Sequence, residues 1–483
     1  MIFDNKFDKK FFFFLLILVI SLKSFTFNLP YHWDENVYVY YARYYENYGP
    51  LSIPPKHDGH VPFFMWILAF FYRIFGESTF LTHFIEAVFS FLGSYFVYLL
   101  GKFLFNRRVG IIASLLLFFS PAYFSLSGQA SLDVPLITLT LMVFYFTFRK
   151  KTILYLILAS ILVLIKEPGI FVIIAIVIYQ IIKKEKLQNI LIYSLPISLI
   201  FIWNIWYKFN TGFYAFELLS GFYETHGNSI YSILFPSGIS IILKKAMANL
   251  YQIFFWNYGW ILTLILILNR HKFRFDKKFI LLILTAFLYF LYFSYGPLLQ
   301  RYLLPIYPVF FIFSAYSLNL FKRRAWLLIF LILILFISCY RWNWGIKGFI
   351  QDPVFRSSIF YPKTLTSIRS DELSLDYIDI VEIQKEAFDF IFTNYSNSTI
   401  VATSPFVNHK SIKVVDYGYR QWMKHDINVL SPSQENINKS DLIIYESYGD
   451  WPKGIDIDNL ISQMQLIKKF EKNNKYILIF KPS

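Results

Sequence analysis

Long apolar runs recur along the first two thirds of the chain and alternate with short polar stretches that carry clusters of lysine and arginine. Most runs approach the roughly 20 residues that an α-helix needs to cross a bilayer. The pattern therefore predicts a polytopic membrane protein. Its eleven predicted spans lie at approximately residues 11–29, 80–103, 109–124, 132–149, 152–165, 168–183, 189–207, 249–268, 278–294, 301–320 and 325–340.

Beyond about residue 341 the pattern changes, because apolar runs shorten and Asp, Glu, Asn and Ser become common. Alternating and β-rich runs predict strands, and a period near 3.6 predicts helices. The predicted strands are Thr399–Ala402, Leu442–Tyr445 and Tyr476–Phe480, and the predicted helices are Val381–Tyr395 and Leu460–Phe470. We therefore expect an all-α membrane domain, residues 1–340, followed by a small soluble α/β domain, residues 341–483.

The long loop after the first span, residues 30–79, contains two aromatic and amphipathic stretches, Val37–Tyr48 and Val61–Phe75. Tyr, Trp and Phe are enriched where a membrane meets water. Each stretch predicts a helix that lies in the membrane interface.

Composition supports a membrane protein, since 56% of residues are hydrophobic and only 16% are charged, against about 25% charged residues in a typical soluble domain. The net charge of +15 could indicate nucleic acid binding. However, the cations cluster between apolar runs, where they orient spans, so we expect no nucleic acid partner. The single cysteine, Cys339, excludes intramolecular disulfides and metal sites built from cysteine pairs.

The charge distribution predicts the topology, because connections rich in Lys and Arg face the cytoplasm. One alternate set of connections carries twenty Lys and Arg residues and the other carries eight. The N-terminus is therefore predicted to be cytoplasmic and the C-terminal domain extracytoplasmic, in a multi-pass plasma membrane protein. The first apolar run could instead be a signal peptide, but no small-residue cleavage site follows it, so we favour a retained span.

Carboxylates come to the predicted outer face at three places, namely Asp34-Glu35, Asp133 and Glu167. Ionisable residues at membrane depth are costly and therefore mark functional sites. Each also has an ordinary alternative. Asp34 and Glu35 could be a solvated loop pair, Asp133 could simply start a helix, and Glu167 could pair with Lys166 or cap the helix after Pro168.

Lys166 and Arg301 are the only cations in the short outer connections. Arg near a span end commonly extends to the lipid headgroups, which is the ordinary explanation. The alternative is an anionic ligand at this face, such as a lipid phosphate.

Three histidines, His32, His57 and His60, lie in the first outer loop among carboxylates. Mixed His and carboxylate ligands could hold Zn²⁺ or another divalent metal ion, but the spacing matches no local metal motif. A bound metal stays open, and we expect no obligatory ion. His60, close before Pro62, could equally be a helix-start residue.

Five segments, in this order, resemble motifs of the C-type (GT-C) membrane glycosyltransferases, which include protein O-mannosyltransferases and bacterial aminoarabinose transferases. In that family, charged residues and two prolines are more common where this chain has Gly59-His60-Val61-Pro62. The segments are Tyr31–Tyr41, Gly59–Gly76, Gln129–Leu136, Leu164–Pro168 and Arg301–Pro308.

The resemblance implies transfer of a sugar from a polyprenyl-phosphate donor to a lipid, glycan or protein acceptor hydroxyl at the outer face, with inversion. Lys166 and Arg301 would bind the donor phosphate, and Asp34 would be the general base. Glu35 would orient Asp34 or the acceptor, and Asp133 would hold hydroxyl groups or share a metal.

Two other functions remain. A transporter or flippase of lipid-linked glycans would also be polytopic with a cationic outer cavity, although we find no inverted repeat in the sequence. A membrane-anchored scaffold is the second, and eleven spans exceed what anchoring needs.

Overall fold

The computed structural model shows a mostly helical chain with one small β-sheet near its C-terminus. It describes residues 6–32, 34–55, 57–217, 236–273, 276–295, 300–341, 374–395, 398–402, 428–430, 433–447, 464–473 and 475–482. Large parts of the predicted C-terminal domain, including residues 342–373 and 403–427, lie outside these ranges.

Helices dominate the first 340 residues, as the apolar pattern predicts. Polar caps begin two of them, since the side chains of Ser78 and Asn106 accept hydrogen bonds from Leu81 N and Val109 N, donors that a helix start otherwise leaves unpaired. The helices are α1 (Lys6–Lys23), α2 (Asp34–Tyr48), α3 (Phe63–Phe75), α4 (Thr79–Leu104), α5 (Arg107–Phe119), α6 (Pro121–Leu126), α7 (Asp133–Phe148), α8 (Thr152–Ile165), α9 (Gly169–Ile182), α10 (Leu187–Ser194), α11 (Ile197–Thr211), α12 (Pro236–Phe254), α13 (Gly259–Leu268), α14 (Lys277–Tyr295), α15 (Tyr307–Asn319) and α16 (Arg324–Ser338).

Length and composition allow some of these helices to cross a membrane. Among the described residues, four continuous helices are long and apolar enough, and a pair bent by 48°, Ile242–Phe254 and Trp256–Leu268, brings the number to as many as five. All five coincide with predicted spans, while the shorter apolar helices include α7, α8, α9 and α16. The chain is thus a membrane protein, and the topology of eleven spans stays a prediction. The four helices are Thr79–Leu104, Leu187–Thr211, Lys277–Tyr295 and Arg301–Asn319. The second joins α10 and α11, and the fourth joins a short 3₁₀-helix, Gln300–Ile306, to α15.

The two stretches predicted to lie in the membrane interface form helices α2 and α3, which pack against each other. A bidentate pair between Arg43 of α2 and Glu77, with distances of 2.6 and 2.5 Å, ties α2 to the residues that follow α3. One side of α3 exposes large apolar residues, among them Phe70, Ile74 and Phe75, as a helix in contact with lipid would.

Glycines allow α4 and α5 to approach closely. A Cβ atom on Gly101 would lie 2.9 Å from the Cα atom of Gly110, and one on Gly110 would meet the backbone carbonyl of Tyr98. Small residues at such positions let helix backbones pack tightly in membranes, where van der Waals contact is a main source of helix association.

The C-terminal unit, the described residues between 374 and 482, contains a five-stranded sheet of order β2-β1-β3-β5-β4. Strand β1 pairs in parallel with β2 and β3, and β5 pairs antiparallel with β3 and β4. The three predicted strands and the first predicted helix are present. The elements are α17 (Tyr377–Asn394), α18 (Gln434–Asn438), β1 (Thr399–Ala402), β2 (Asn428–Leu430), β3 (Leu442–Glu446), β4 (Met464–Lys472) and β5 (Lys475–Pro482).

The predicted helix Leu460–Phe470 is wrong over its described part, because residues from Met464 onward form strand β4. A register shift between Leu466 and Lys468 interrupts the pairing of β4 with β5. Such a bulge adds one residue and breaks the alternation of side chains. The less exposed residues of β4, Met464, Ile467 and Phe470, therefore recur every third position, as on a helix.

Helix α17 belongs to two hydrophobic cores. Its first residues, including Tyr377, Ile378 and Val381, are buried with the core of the helical part of the chain. Residues farther along it, including Ile383 and Phe388, are buried with the sheet. The C-terminal unit is therefore packed directly on the helical part.

Candidate active site

Four charged side chains from distant parts of the chain form a continuous series of ion pairs. The guanidinium of Arg301 donates a hydrogen bond of 2.6 Å to Asp34, and its Nε lies 3.9 Å from a carboxylate oxygen of Asp133. The ammonium of Lys166 donates a bond of 2.6 Å to the other carboxylate oxygen of Asp133. The sequence predicted all four as site residues, and the structure brings them together.

The ends of helices position these side chains. Asp34 and Asp133 are the first residues of α2 and α7, where the positive end of the helix dipole stabilises a carboxylate. Lys166 directly follows α8, and Arg301 lies in the short 3₁₀-helix Gln300–Ile306 that precedes α15. Residues at the ends of four different helices thus meet at one site.

The ring of Tyr302 lies beside both cations. Its centroid is 4.5 Å from the Lys166 ammonium and 5.6 Å from the Arg301 guanidinium carbon. An aromatic face attracts cations at such distances, so Tyr302 helps to hold the two positive charges side by side.

Asp34 is the accessible carboxylate of the site. Its side chain is 40% exposed, whereas that of Asp133 is 4% exposed. Partial desolvation by the surrounding protein raises the pKa of the Asp34 carboxyl, but Arg301, His60 and Lys166 together outweigh this effect and hold the pKa below its usual value. Asp34 is therefore ionised at neutral pH.

A cavity of about 10 Å³ adjoins the ion pairs. That volume holds about one water molecule, so a larger ligand requires side chains to move. The lining residues are His32, Asp34, Glu35, Tyr38, Leu126, Gln129, Ala130, Ser131, Leu132, Asp133 and Arg301.

Glu35 has partners of its own, although it follows Asp34 directly. One carboxylate oxygen lies 3.0 Å from His83 Nε2 and accepts a bond from the Ala130 backbone N–H, and the other accepts a bond of 2.5 Å from the His32 backbone N–H. The Glu35 side chain is 3% exposed. It therefore fixes the start of α2 against α4 and the segment before Asp133.

His60 and Glu167 form a second pair, with His60 Nδ1 3.0 Å from a Glu167 oxygen. The same oxygen accepts a bond of 2.9 Å from the Val61 N–H. Burial alone would lower the pKa of His60, but Asp58 and Glu167 outweigh it and raise this pKa to about 9. His60 is thus a third cation near Asp34.

His57 is packed as a structural residue. Its ring stacks on Tyr41 at 4.5 Å between centroids, and its Nδ1 accepts a bond of 3.0 Å from the Gly59 N–H. Tyr207 donates a bond of 2.8 Å to the His57 backbone carbonyl. Burial lowers the pKa of His57 to about 4, so its ring is neutral at physiological pH.

The histidines and carboxylates of this region fit a metal poorly. His60 directs its two ring nitrogens at different carboxylates, Nδ1 at Glu167 and Nε2 at Asp58. Across the described parts of the chain, no group of three or more His, Cys, Asp or Glu side chains is arranged to hold an ion.

Sequence reasoning missed two buried residues of α4 that support the site. His83 contacts Glu35, as described above, and Glu86 accepts a bond of 3.1 Å from the Ser131 hydroxyl. Both are fully buried in an apolar helix. Ionisable residues inside a predicted span were the available signal.

Two crystal structures of ArnT from Cupriavidus metallidurans share the fold over nearly the whole chain. The structure bound to undecaprenyl phosphate has 11% sequence identity and a TM-score of 0.57, and the match covers 96% of this chain and 97% of that one. The apo structure has 12% identity and a TM-score of 0.58, with 98% of both chains covered.

No curated protein sequence matches the chain at a significant level. Residues 59–207, which include His60, Asp133 and Lys166, match the family described as dolichyl-phosphate-mannose-protein mannosyltransferase. This family match and the shared fold confirm the resemblance that the sequence motifs indicate, to the GT-C membrane glycosyltransferases.

Proposed function

We propose that the protein transfers a sugar from a polyprenyl-phosphate donor to an acceptor hydroxyl at the outer face of the plasma membrane, with inversion at the anomeric carbon. The observation that carries this proposal is the series of ion pairs linking Asp34, Arg301, Asp133 and Lys166. It joins an accessible carboxylate, which can take a proton, to two cations, which can bind a phosphate.

Donor binding would rearrange these ion pairs. The phosphate of the donor carries negative charge and competes with Asp34 and Asp133 for Arg301 and Lys166, since charge-assisted bonds to phosphate are strong. When Arg301 turns to the phosphate, Asp34 loses the contact that lowers its pKa. Its carboxylate then becomes a stronger base, next to the sugar that is to be transferred.

In the transfer step, the acceptor hydroxyl oxygen attacks the anomeric carbon from the side opposite the phosphate. The bond from carbon to the phosphate oxygen breaks, and its electron pair stays on that oxygen. Asp34 takes the hydroxyl proton as general base. Lys166 and Arg301 stabilise the charge that develops on the leaving phosphate.

The remaining predicted residues have supporting roles in this scheme. Asp133 holds Lys166 in place and, once the phosphate shares that cation, accepts hydrogen bonds from sugar hydroxyls. Glu35 sets the orientation of α2 and thereby of Asp34. Glu167 holds His60 in its cationic form near Asp34.

A lipid carrier agrees with the membrane setting, because an isoprenoid tail can remain in the bilayer while its phosphate reaches the ion pairs. ArnT, which shares this fold, has been crystallised with undecaprenyl phosphate bound. That complex supports a carrier of this class. The acceptor requires only a hydroxyl group and could belong to a lipid, a glycan or a protein.

Replacing Asp34 by Asn tests the function directly, because it removes basicity while keeping size and most hydrogen bonding. A radiolabelled pool of lipid-linked sugars is supplied to purified protein in liposomes with membrane acceptors. We expect Asp34→Asn to lower transfer by about 10²–10⁴-fold, the usual cost of losing a general base.

The control is Glu46→Gln, the same chemical change farther along α2. Movement of the labelled lipid across the bilayer is followed in the same liposomes. Movement without transfer in the wild-type protein would favour the transporter or flippase. Full transfer by folded Asp34→Asn would remove Asp34 from the mechanism and make Asp133 the next candidate.

A further inference from the structure

The start of helix α17 carries the C-terminal unit into the helical part of the chain. Tyr377, the first residue of α17, is 1% exposed. Just before it, the Ser125 hydroxyl donates a bond of 2.7 Å to the Ser374 carbonyl, and the Leu375 N–H donates one of 2.6 Å to the Tyr340 carbonyl. The C-terminal unit is thus anchored to α6 and to the residues that follow α16.

Tyr377 contacts the segment that follows α6, residues 127–132. We call it the Asp133 loop because it leads directly into Asp133. The Tyr377 hydroxyl donates a bond of 3.4 Å to the Gly128 carbonyl. Its ring centroid lies 5.4 Å from that of His32. A Cβ on Gly128 would lie 3.1 Å from the Tyr377 hydroxyl, so a larger residue there would crowd this contact.

The helical part of the chain also holds the Asp133 loop. Glu35 accepts a bond from the Ala130 N–H and Glu86 one from the Ser131 hydroxyl, while His32 Nδ1 lies 3.4 Å from Gln129 Oε1. Gln129, Ala130 and Ser131 line the cavity beside Asp34. Tyr377 therefore packs against His32, which lines the cavity, and against Gly128, which directly precedes Gln129 of the lining.

A second contact holds α17 in this position. Arg341, which follows the last apolar helix, forms two bonds of 3.0 and 2.9 Å to Asp379, one turn of helix or less from Tyr377. Asn473, in the turn between β4 and β5, donates a bond of 3.0 Å to the same carboxylate. The sheet, α17 and the helical part are thus joined at one buried carboxylate.

We propose that Tyr377 is a positioning residue of the transferase, through which the C-terminal unit holds the Asp133 loop and so the distance between Asp133 and Asp34. This inference rests on the proposed function. It gives the C-terminal unit a direct part in the geometry of the site, because displacing a catalytic group by about 1 Å can cost about 100-fold in rate.

Contact and catalysis are tested separately. In a Cys339→Ala background, Ser125→Cys and Ser374→Cys are combined, and the full chain in membranes is treated with a short bis-maleimide, whose reaction with both thiols is followed by gel mobility after proteolysis between the two positions. The Ser125 hydroxyl reaches the Ser374 backbone carbonyl, so we expect a cross-link, and none in the control pair Ser125→Cys and Ser447→Cys. No cross-link in the first pair would overturn the docking of the C-terminal unit whatever the protein does.

The catalytic arm compares Tyr377→Ala with Tyr377→Phe in the transfer assay, with thermal unfolding of each variant measured in parallel. We expect Tyr377→Ala to lower kcat about tenfold or more while KM for the lipid-linked sugar changes less than about threefold. Tyr377→Phe keeps the ring against His32 and should restore most of kcat.

Tyr395→Ala is the matched control, since it removes a ring at the other end of the same helix, where it packs on Phe390. Normal kcat in Tyr377→Ala, or an equal loss in Tyr395→Ala, would overturn the positioning role. Absence of transfer in the wild-type protein would instead contradict the proposed function and leave the cross-linking result to decide the docking.

Discussion

Asp34 and Glu35 are adjacent in the sequence, yet their side chains have different surroundings. Successive residues of a helix point about 100° apart, so Asp34 pairs with Arg301 while Glu35 is buried against His83 and Ala130. The sequence could predict that this acidic pair matters. It could not predict which partner each carboxylate has, because the partners are distant in sequence.

The contact between Arg301 and Asp34 leads to a prediction about pH. Arg301 lowers the pKa of Asp34, so the basic form persists to lower pH than for an isolated aspartate. In Arg301→Gln this pKa rises, and the acid limb of kcat/KM, which reports the free enzyme, should move to higher pH. Turnover should also fall, because a contact to the leaving phosphate is lost.

The measurement is the pH profile of transfer for the wild-type protein and Arg301→Gln, with the exposed Arg270→Gln as the control. Arg270 lies in a 3₁₀-turn that follows α13. An unchanged acid limb in Arg301→Gln would mean that Arg301 does not control the ionisation of Asp34.

His60 leads to a prediction about stability. Its pKa is raised from the usual 6.5 to about 9 by Asp58 and Glu167 after the opposing effect of burial. A group whose pKa is raised by folding stabilises the folded state at pH values below its unfolded pKa. This contribution is lost as the pH rises through its folded pKa. The stability advantage of the wild type over His60→Gln should therefore be largest near pH 6 and vanish by about pH 10.

Thermal unfolding in detergent at a series of pH values measures this difference, and exposed His271→Gln is the control. A constant advantage from pH 6 to pH 10 would show that packing, rather than the charge of His60, stabilises this loop.

At the scale of elements, the apolar pattern predicted helices well, because each helix buries or exposes a continuous apolar surface. The two helices beside Lys166, α8 and α9, have 14 residues each, as their apolar runs indicate. The predicted span 249–268 instead breaks near Asn257 and Tyr258, whose φ angles are positive. Strand β4 was mispredicted because a bulge gives it a helical spacing.

The close contact between α4 and α5 predicts a large effect from one methyl group. In Gly110→Ala the new Cβ would meet the backbone of Tyr98, which cannot rotate away as a side chain can. We expect a loss of about 1–3 kcal/mol, as for other overpacked cores, measured by thermal or denaturant unfolding in detergent. Leu115→Phe, which adds volume at a half-buried position on the same helix, should be tolerated, and equal effects would argue against the contact.

At the scale of the whole molecule, the topology is the main prediction that comes from charge alone. The distribution of twenty Lys and Arg residues against eight predicts that the C-terminal unit lies outside. A reporter active only outside the cytoplasm, fused after residue 345, should be active. A reporter active only in the cytoplasm should be inactive at the same position, and the reverse pattern would invalidate the assignment of every connection.

The sequence also predicted the four charged residues of the candidate site, but it did not predict the part played by Tyr377. Asp34, Asp133, Lys166 and Arg301 stand out because charges near membrane spans are costly. Tyr377 gives no such signal, since an aromatic residue at the start of a soluble helix is ordinary. Its position became visible only when α17 was seen to join two cores.

The ion pair between Arg301 and Asp34 also has a kinetic consequence. If the acceptor's proton can be removed only after a phosphate has drawn Arg301 away, deprotonation must wait for the lipid-linked sugar, whichever substrate binds first. The released polyprenyl phosphate would then compete with the donor for the free enzyme, and its departure would let the ion pair form again. An acceptor present in excess would find Asp34 still paired with Arg301, so raising the acceptor concentration alone would not start a turnover.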